Sequence, residues 1–178
     1  MNILTEKLPL SVWVGEKSYT INPDFKTAIK IITYAEENSG IKLMIYALKT
    51  FYKQVPEDIK GAIASMKEFY NGKEEKLKTN QVKKETLFSF SKDADAIFSS
   101  FYSQYGINLA EDDLHWYVFV ALLRGLCGDN MFSRVLEIRS LDLSDIKDEG
   151  QRKRLEKLKQ KYSLSEAITL EEGLRGLF

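Results

Sequence analysis

Two rhythms of apolar and polar positions run along this chain. Val12, Trp13 and Val14 are separated by Gly15, Glu16 and Lys17 from Tyr19, Thr20 and Ile21, which predicts a small N-terminal β-hairpin. Asn22, Pro23 and Asp24 supply a turn and a helix N-cap. The period then lengthens to three or four: Phe25, Ala28, Ile29, Ile32 and Ala35 predict a helix over 24–37 with one buried stripe. After Asn38, Ser39 and Gly40, a second helix carries Leu43, Ala47, Leu48 and Phe51, with Met44 and Tyr52 widening its apolar face. Pro56 is expected to stop it and to open a third helix, 56–70, whose stripe is Ile59, Ile63, Met66 and Tyr70.

Asn71 and Gly72 read as a C-cap, and KEEKLKTNQVKKET reads as a solvated linker or mobile loop. Ser91 is a plausible N-cap for a helix carrying Ile97, Phe98, Phe101, Tyr102 and Tyr105, ended by Gly106. Asp112 or Asp113 then caps a helix through Leu126, and Asp129 or Asn130 starts another through Arg139. LHWYVFVALLRGL is apolar almost all round, which predicts packing on several sides. Ser144 or Asp142 is expected to cap a last helix reaching Tyr162, with a narrow stripe of Ile146, Leu155, Leu158 and Tyr162.

The result is a mainly α, compact multi-helix domain with a small hairpin. Residues 1–72 hold the hairpin and first helices, 73–86 a charged linker, 87–162 an aromatic-rich core packed with the first part as one domain, and 163–178 a C-terminal tail.

Composition narrows the function classes. The 178 residues carry 26 basic and 26 acidic side chains, so no global field favours nucleic acid. The single cysteine, Cys127, rules out an intrachain disulfide and a cysteine zinc knuckle. No run approaches about 18 uncharged apolar residues, and neither export nor membrane insertion is expected.

Candidate chemistry is sparse. His115, the one histidine, lacks a second histidine, a thiol or a carboxylate pair, so a packing or hydrogen-bonding role is favoured over general-base work. Cys127 reads as a small apolar filler at a helix end rather than an exposed thiol. Asp93 and Asp95 point to different helix faces and read as first-turn electrostatics, as do Glu111, Asp112 and Asp113 before the following helix. Gly125 with Gly128, and Gly173 with Gly176, lack the lysine and hydroxyl of a phosphate loop. Between Lys147 and Lys161, seven basic and three acidic residues give a local charge of +4, which reads as a solvated helix before a phosphate site. Of Phe98, Phe101, Tyr102, Tyr105, Trp116, Tyr117 and Phe119, most are assigned to the core. No enzyme, metal or cofactor is expected.

Four stretches go further: INPDF at residue 21, FSFSKDADAIFSSFYSQYGINL from Phe88, LHWYVFVALLRGL from Leu114, and IRSLDLSDIKD ending at Asp148. Together they resemble the bacteriophage gene-product-fifteen family from Ile21 through Leu164, with Tyr117 where a second tryptophan is expected beside Trp116. The resemblance implies a protein of the phage tail module, encoded near the tape-measure protein. It further implies a tail-assembly chaperone in the cytoplasm of the bacterial host that binds the tape-measure protein or another tail protein. The alternative is a structural minor tail or connector component. Leu164, Ile168, Leu174, Leu177 and Phe178 are the expected partner contacts, and self-association is possible. A membrane partner is not expected, and a nucleic-acid partner is disfavoured by the neutral composition.

Overall fold

Val14 and Lys17 face each other across Gly15 and Glu16, closing a two-stranded antiparallel hairpin of β1 (Ser11–Val14) and β2 (Lys17–Thr20). The turn needs a positive φ at its first central position, and Gly15 supplies it at +58° without a Cβ penalty. The computed structural model describes residues 2–71, 87–144 and 146–164. They fall into two units, one made of 2–71 with 113–121 and the other of 87–112 with 122–164. Seven helices accompany the hairpin among the described residues, giving the mainly α fold that the periodicity predicts.

In the first unit α1 (Phe25–Glu37) begins where Asp24 accepts a hydrogen bond from the Thr27 amide, at 2.8 Å, and another from the Thr27 hydroxyl. Phe25, Ala28, Ile31, Ile32 and Ala35 are buried; Ile31 takes the core position expected of Ile29, which is half-buried. α2 (Gly40–Phe51) buries Leu43, Ala47, Leu48 and Phe51 as expected, and packs against α1 and α3. It stops at Phe51, before Pro56, because Tyr52 turns extended and its hydroxyl reaches across to donate to the Ala62 carbonyl at 2.7 Å.

α3 (Ile59–Asn71) starts three residues later than the sequence predicts, and its buried stripe is Ala62, Met66, Phe69 and Tyr70. Ile59 is exposed and Ile63 only half-buried. The helix is rotated because Ala62 passes beneath Tyr52, and β1 packs on the neighbouring face, where the Ser65 hydroxyl donates to the Trp13 carbonyl. α5 (Trp116–Arg124) contributes residues 116–121 to this unit. Phe119 stacks on Phe25 at 4.7 Å, and Trp116 meets Tyr70 edge-on at 5.7 Å. Burying such rings stabilises by about 1.5–3 kcal/mol each. Along α5, Trp116, Phe119 and Leu123 are buried, Tyr117, Val118, Val120 and Leu122 are half-buried, and Ala121 and Arg124 are exposed, in line with the expected packing on several sides.

The second unit is built on α4 (Ala94–Tyr105), α6 (Met131–Ser140) and α7 (Glu149–Lys161), with α6 packing against both others. Gly106 ends α4 in the left-handed region, as predicted. Asn130 caps α6 by accepting from the Ser133 amide. Asp93, not Ser91, stands at the head of α4, and its carboxylate is turned away from capping. Asp148, rather than Ser144 or Asp142, caps α7, which starts later than expected and buries none of its residues. The segment read as a linker, 73–86, lies outside the described residues. Among those described, no helix is long and apolar enough to cross a membrane.

Candidate functional site

His115 immediately precedes α5, and both of its ring nitrogens are engaged. Nδ1 lies 3.2 Å from the Tyr117 amide, which donates to it, and Nε2 lies 3.1 Å from the Pro9 carbonyl. An N–H donor at Nε2 with an acceptor at Nδ1 is the neutral imidazole, so the ring acts as an N-cap that also ties down the segment before the hairpin. Burial holds its pKa below the usual 6.5, with the Pro9 hydrogen bond acting in the opposite direction. The backbone bonds Phe25 N to Leu114 O and Trp116 N to Pro23 O, at 3.0 and 2.7 Å, bind the starts of α1 and α5 to each other. Asp112 and Asp113 cap nothing: Asp112 accepts from the Asn108 amide and Asp113 pairs with Lys26 at 2.9 Å. His115 thus fills the capping role that the sequence assigned to an aspartate.

Tyr117 stacks on Phe69 at 5.0 Å and its hydroxyl donates to the Phe69 carbonyl at 2.7 Å. Burial, with the nearby Glu68 charge, pushes its pKa up to about 12. The hydroxyl that distinguishes this residue from the expected tryptophan is therefore used internally. Tyr70, by contrast, keeps a buried hydroxyl with no hydrogen-bond partner among the described residues.

The two aspartates read as equivalent first-turn charges have different roles. Asp95 is exposed in the first turn of α4. Asp93 is buried and receives Arg139 in a fork, Nη1 to Oδ2 at 2.6 Å and Nη2 to Oδ1 at 2.7 Å, while the Ser89 amide donates to Oδ2. Arg139 also donates from Nη1 to the Leu87 carbonyl and from Nε to the Tyr162 carbonyl. One guanidinium thus gathers the chain before α4, the end of α6 and the end of α7. Pattern reading missed it, because two charges 46 residues apart leave no local spacing to detect.

Cys127 is exposed, not a filler. It sits beyond the end of α5, where the polar side chain of Gln104, rather than apolar core, receives its backbone amide. Gly128 follows at φ +79° as a turn glycine. Among the described residues no group of three or more His, Cys, Asp and Glu is placed to hold a metal ion.

Of the aromatic cluster, Phe101, Trp116 and Phe119 are buried, and Tyr105 and Tyr117 are half-buried with their hydroxyls on backbone carbonyls. Phe98 and Tyr102 are exposed and stack one turn apart on α4, their planes 7° from parallel. A second exposed apolar pair at the same spacing, Ile41 and Ile45, lies on α2 of the first unit. Of the expected partner contacts, Leu164 is half-buried just past α7; Ile168, Leu174, Leu177 and Phe178 lie outside the described residues.

No curated protein and no solved structure matches the chain. A family model, described as Bacteriophage Gp15 protein, matches residues 4–164, reaching the C-terminal limit of the sequence resemblance and starting before its N-terminal one. As that span takes in most of its length, the chain belongs to the bacteriophage Gp15 protein family.

Proposed function

We propose that the protein is a non-catalytic tail-assembly chaperone that binds the tape-measure protein, in the cytoplasm of the bacterial host, before or during assembly of the tail tube. The observation that carries this reading is family membership over residues 4–164, with the tail-module setting implied by the sequence resemblance. Two structural features support it. Two of the candidate chemical side chains are committed to the fold, His115 at both ring nitrogens and Asp93 to Arg139. Large apolar residues instead stand exposed at one-turn spacing, Ile41 with Ile45 and Phe98 with Tyr102. An unassembled tape measure presents apolar helical faces, and pairs at i and i+4 are the anchors such a face accepts. Leu164, Ile168, Leu174, Leu177 and Phe178 are proposed as further contacts from the C-terminal segment.

Co-expression with the tape-measure protein encoded nearby, followed by measurement of its solubility and of the complex mass, tests the reading. A soluble complex is expected; failure to bind or solubilise the partner sinks it. Mass spectrometry of purified virions separates a chaperone, which is depleted there, from a structural tail or connector subunit, which appears at fixed stoichiometry.

A further inference from the structure

α7 is a helix without a buried side chain. Its inner side is held by polar contacts, Arg139 Nε on the Tyr162 carbonyl and Lys159 Nζ on the Leu141 carbonyl, both at 2.6 Å, with Leu155 half-buried one turn before Lys159. On the other side Lys153, Lys157 and Lys161 follow one another at four-residue intervals, with Arg154 alongside, and all four are exposed. Like charges at that spacing repel and oppose the helix that carries them. On their own helix Glu149 lies four residues before Lys153 and Glu156 is engaged by Arg152 at 3.3 Å, which leaves Arg154, Lys157 and Lys161 with no acidic residue three or four positions away.

The charge is also unevenly distributed in the chain. Lys147 to Lys161 carries seven basic and three acidic residues, which leaves 19 basic and 23 acidic residues elsewhere. A net +4 is thus confined to this stretch and the remainder carries −4.

We propose that the outer face of α7 docks an acidic helical segment of a protein partner, whose carboxylates at four-residue spacing meet Lys153, Arg154, Lys157 and Lys161. The stride matches, since a second helix repeats its side chains over the same axial rise of about 6 Å per four residues. The extent matches a short segment too: from Lys153 to Lys161 is about 12 Å. The chain as a whole is neutral, which gives a long polyanion no extended field to follow, and α7 itself carries no aromatic side chain; Tyr162, just past its end, has Lys161 Nζ 5.5 Å from its ring centroid. Carboxylates placed here would turn the lysine repulsion into attraction, with a strong dependence on salt. The inference rests on charge and spacing and does not depend on the tape-measure reading.

The full chain, titrated by fluorescence anisotropy with a labelled alanine-rich helical peptide bearing glutamates at four-residue spacing, tests it. The glutamate peptide is expected to bind at low salt, and Lys153→Glu with Lys157→Glu to weaken it by about tenfold or more. Lys153→Gln, Lys157→Gln and Lys161→Gln together should also weaken it while far-ultraviolet circular dichroism stays unchanged, which separates lost charge from lost folding. Absence of binding, equal binding of a lysine peptide, or full binding by the glutamine variant overturns the proposal. So does tighter binding of single-stranded oligothymidylate, which assigns the face to nucleic acid. Self-association in sedimentation that charge reversal abolishes also overturns it, by placing a second copy there.

Discussion

Replacing Arg139 by methionine keeps an unbranched apolar stem and removes the guanidinium fork that holds Asp93. Both side chains are almost wholly out of solvent, 8% and 5% exposed, so screening by water and salt gives little discount. The aspartate would keep one partner, the Ser89 amide. Leaving a buried charge without its counter-ion costs about 3–5 kcal/mol. The carbonyls of Leu87 and Tyr162 lose a donor as well, but Leu87 is exposed and water replaces much of that bond. The total is a large fraction of the 5–15 kcal/mol that typically separates a folded domain from its unfolded chain. Urea unfolding followed by circular dichroism should show it, and amide hydrogen exchange should place the loss in α4, α6 and the end of α7. Asp93→Asn in the Arg139→Met background removes the stranded charge while retaining an acceptor for Ser89. The double variant should recover stability over Arg139→Met alone, with a coupling energy of about 2 kcal/mol or more. A cost below about 1 kcal/mol for Arg139→Met, or a coupling energy near zero, would refute the reasoning.

Three further outcomes follow from groups already placed. Tyr70→Phe removes a buried hydroxyl that has no partner among the described residues and should be neutral or stabilising by about 1 kcal/mol, whereas Tyr117→Phe strips the Phe69 carbonyl of its donor and should destabilise by about 1 kcal/mol; thermal melts of the pair showing the reverse order would contradict the assignment. Because the His115 pKa is depressed in the fold, the unfolded chain binds the proton more readily. Its contribution is complete above about pH 6.5 and is lost as pH falls through the lower folded value; His115→Asn should flatten the stability profile in that window, and an unchanged slope would show that other groups set it. Asp24→Ala, which leaves the Thr27 amide uncapped, should cost about 0.5–2 kcal/mol in chemical denaturation, and no measurable cost would mean that water replaces the cap.

Features written in neighbouring residues were legible in the sequence. The hairpin around Gly15, the Asp24 and Asn130 caps and the Gly106 stop each depend on a few adjacent side chains, and each forms where it was expected. Errors arose where a distant partner decides. Of the α3 stripe Ile59, Ile63, Met66 and Tyr70, the last two are buried as expected, but the face beneath Tyr52 admits the small Ala62, which periodicity weights poorly, in place of the two isoleucines. His115 displaced the aspartates as the cap of α5 because the Pro9 carbonyl lies within reach of its other nitrogen. Among the aromatics, Phe98 and Phe101 look alike in sequence; only the packing of α6 on α4 separates the exposed ring from the buried one. Of the candidate contacts, Leu164 alone falls within the described residues.

The reciprocal backbone bonds between Pro23 and Trp116, and between Phe25 and Leu114, have a consequence in time. A ribosome releases the chain from its N-terminus, and α1, α2 and α3 emerge long before the residues that close over Phe25 and Tyr70. Until Trp116 and Phe119 arrive, Phe25 lacks its stacking partner and Tyr70 the edge-on ring of Trp116, leaving it only Phe51 and Phe69, and contacts at this separation in sequence are slow to form. The first unit therefore matures only after residues 87–112 have been synthesised, and a nascent chain paused between α3 and α5 is the stage most exposed to aggregation and proteolysis.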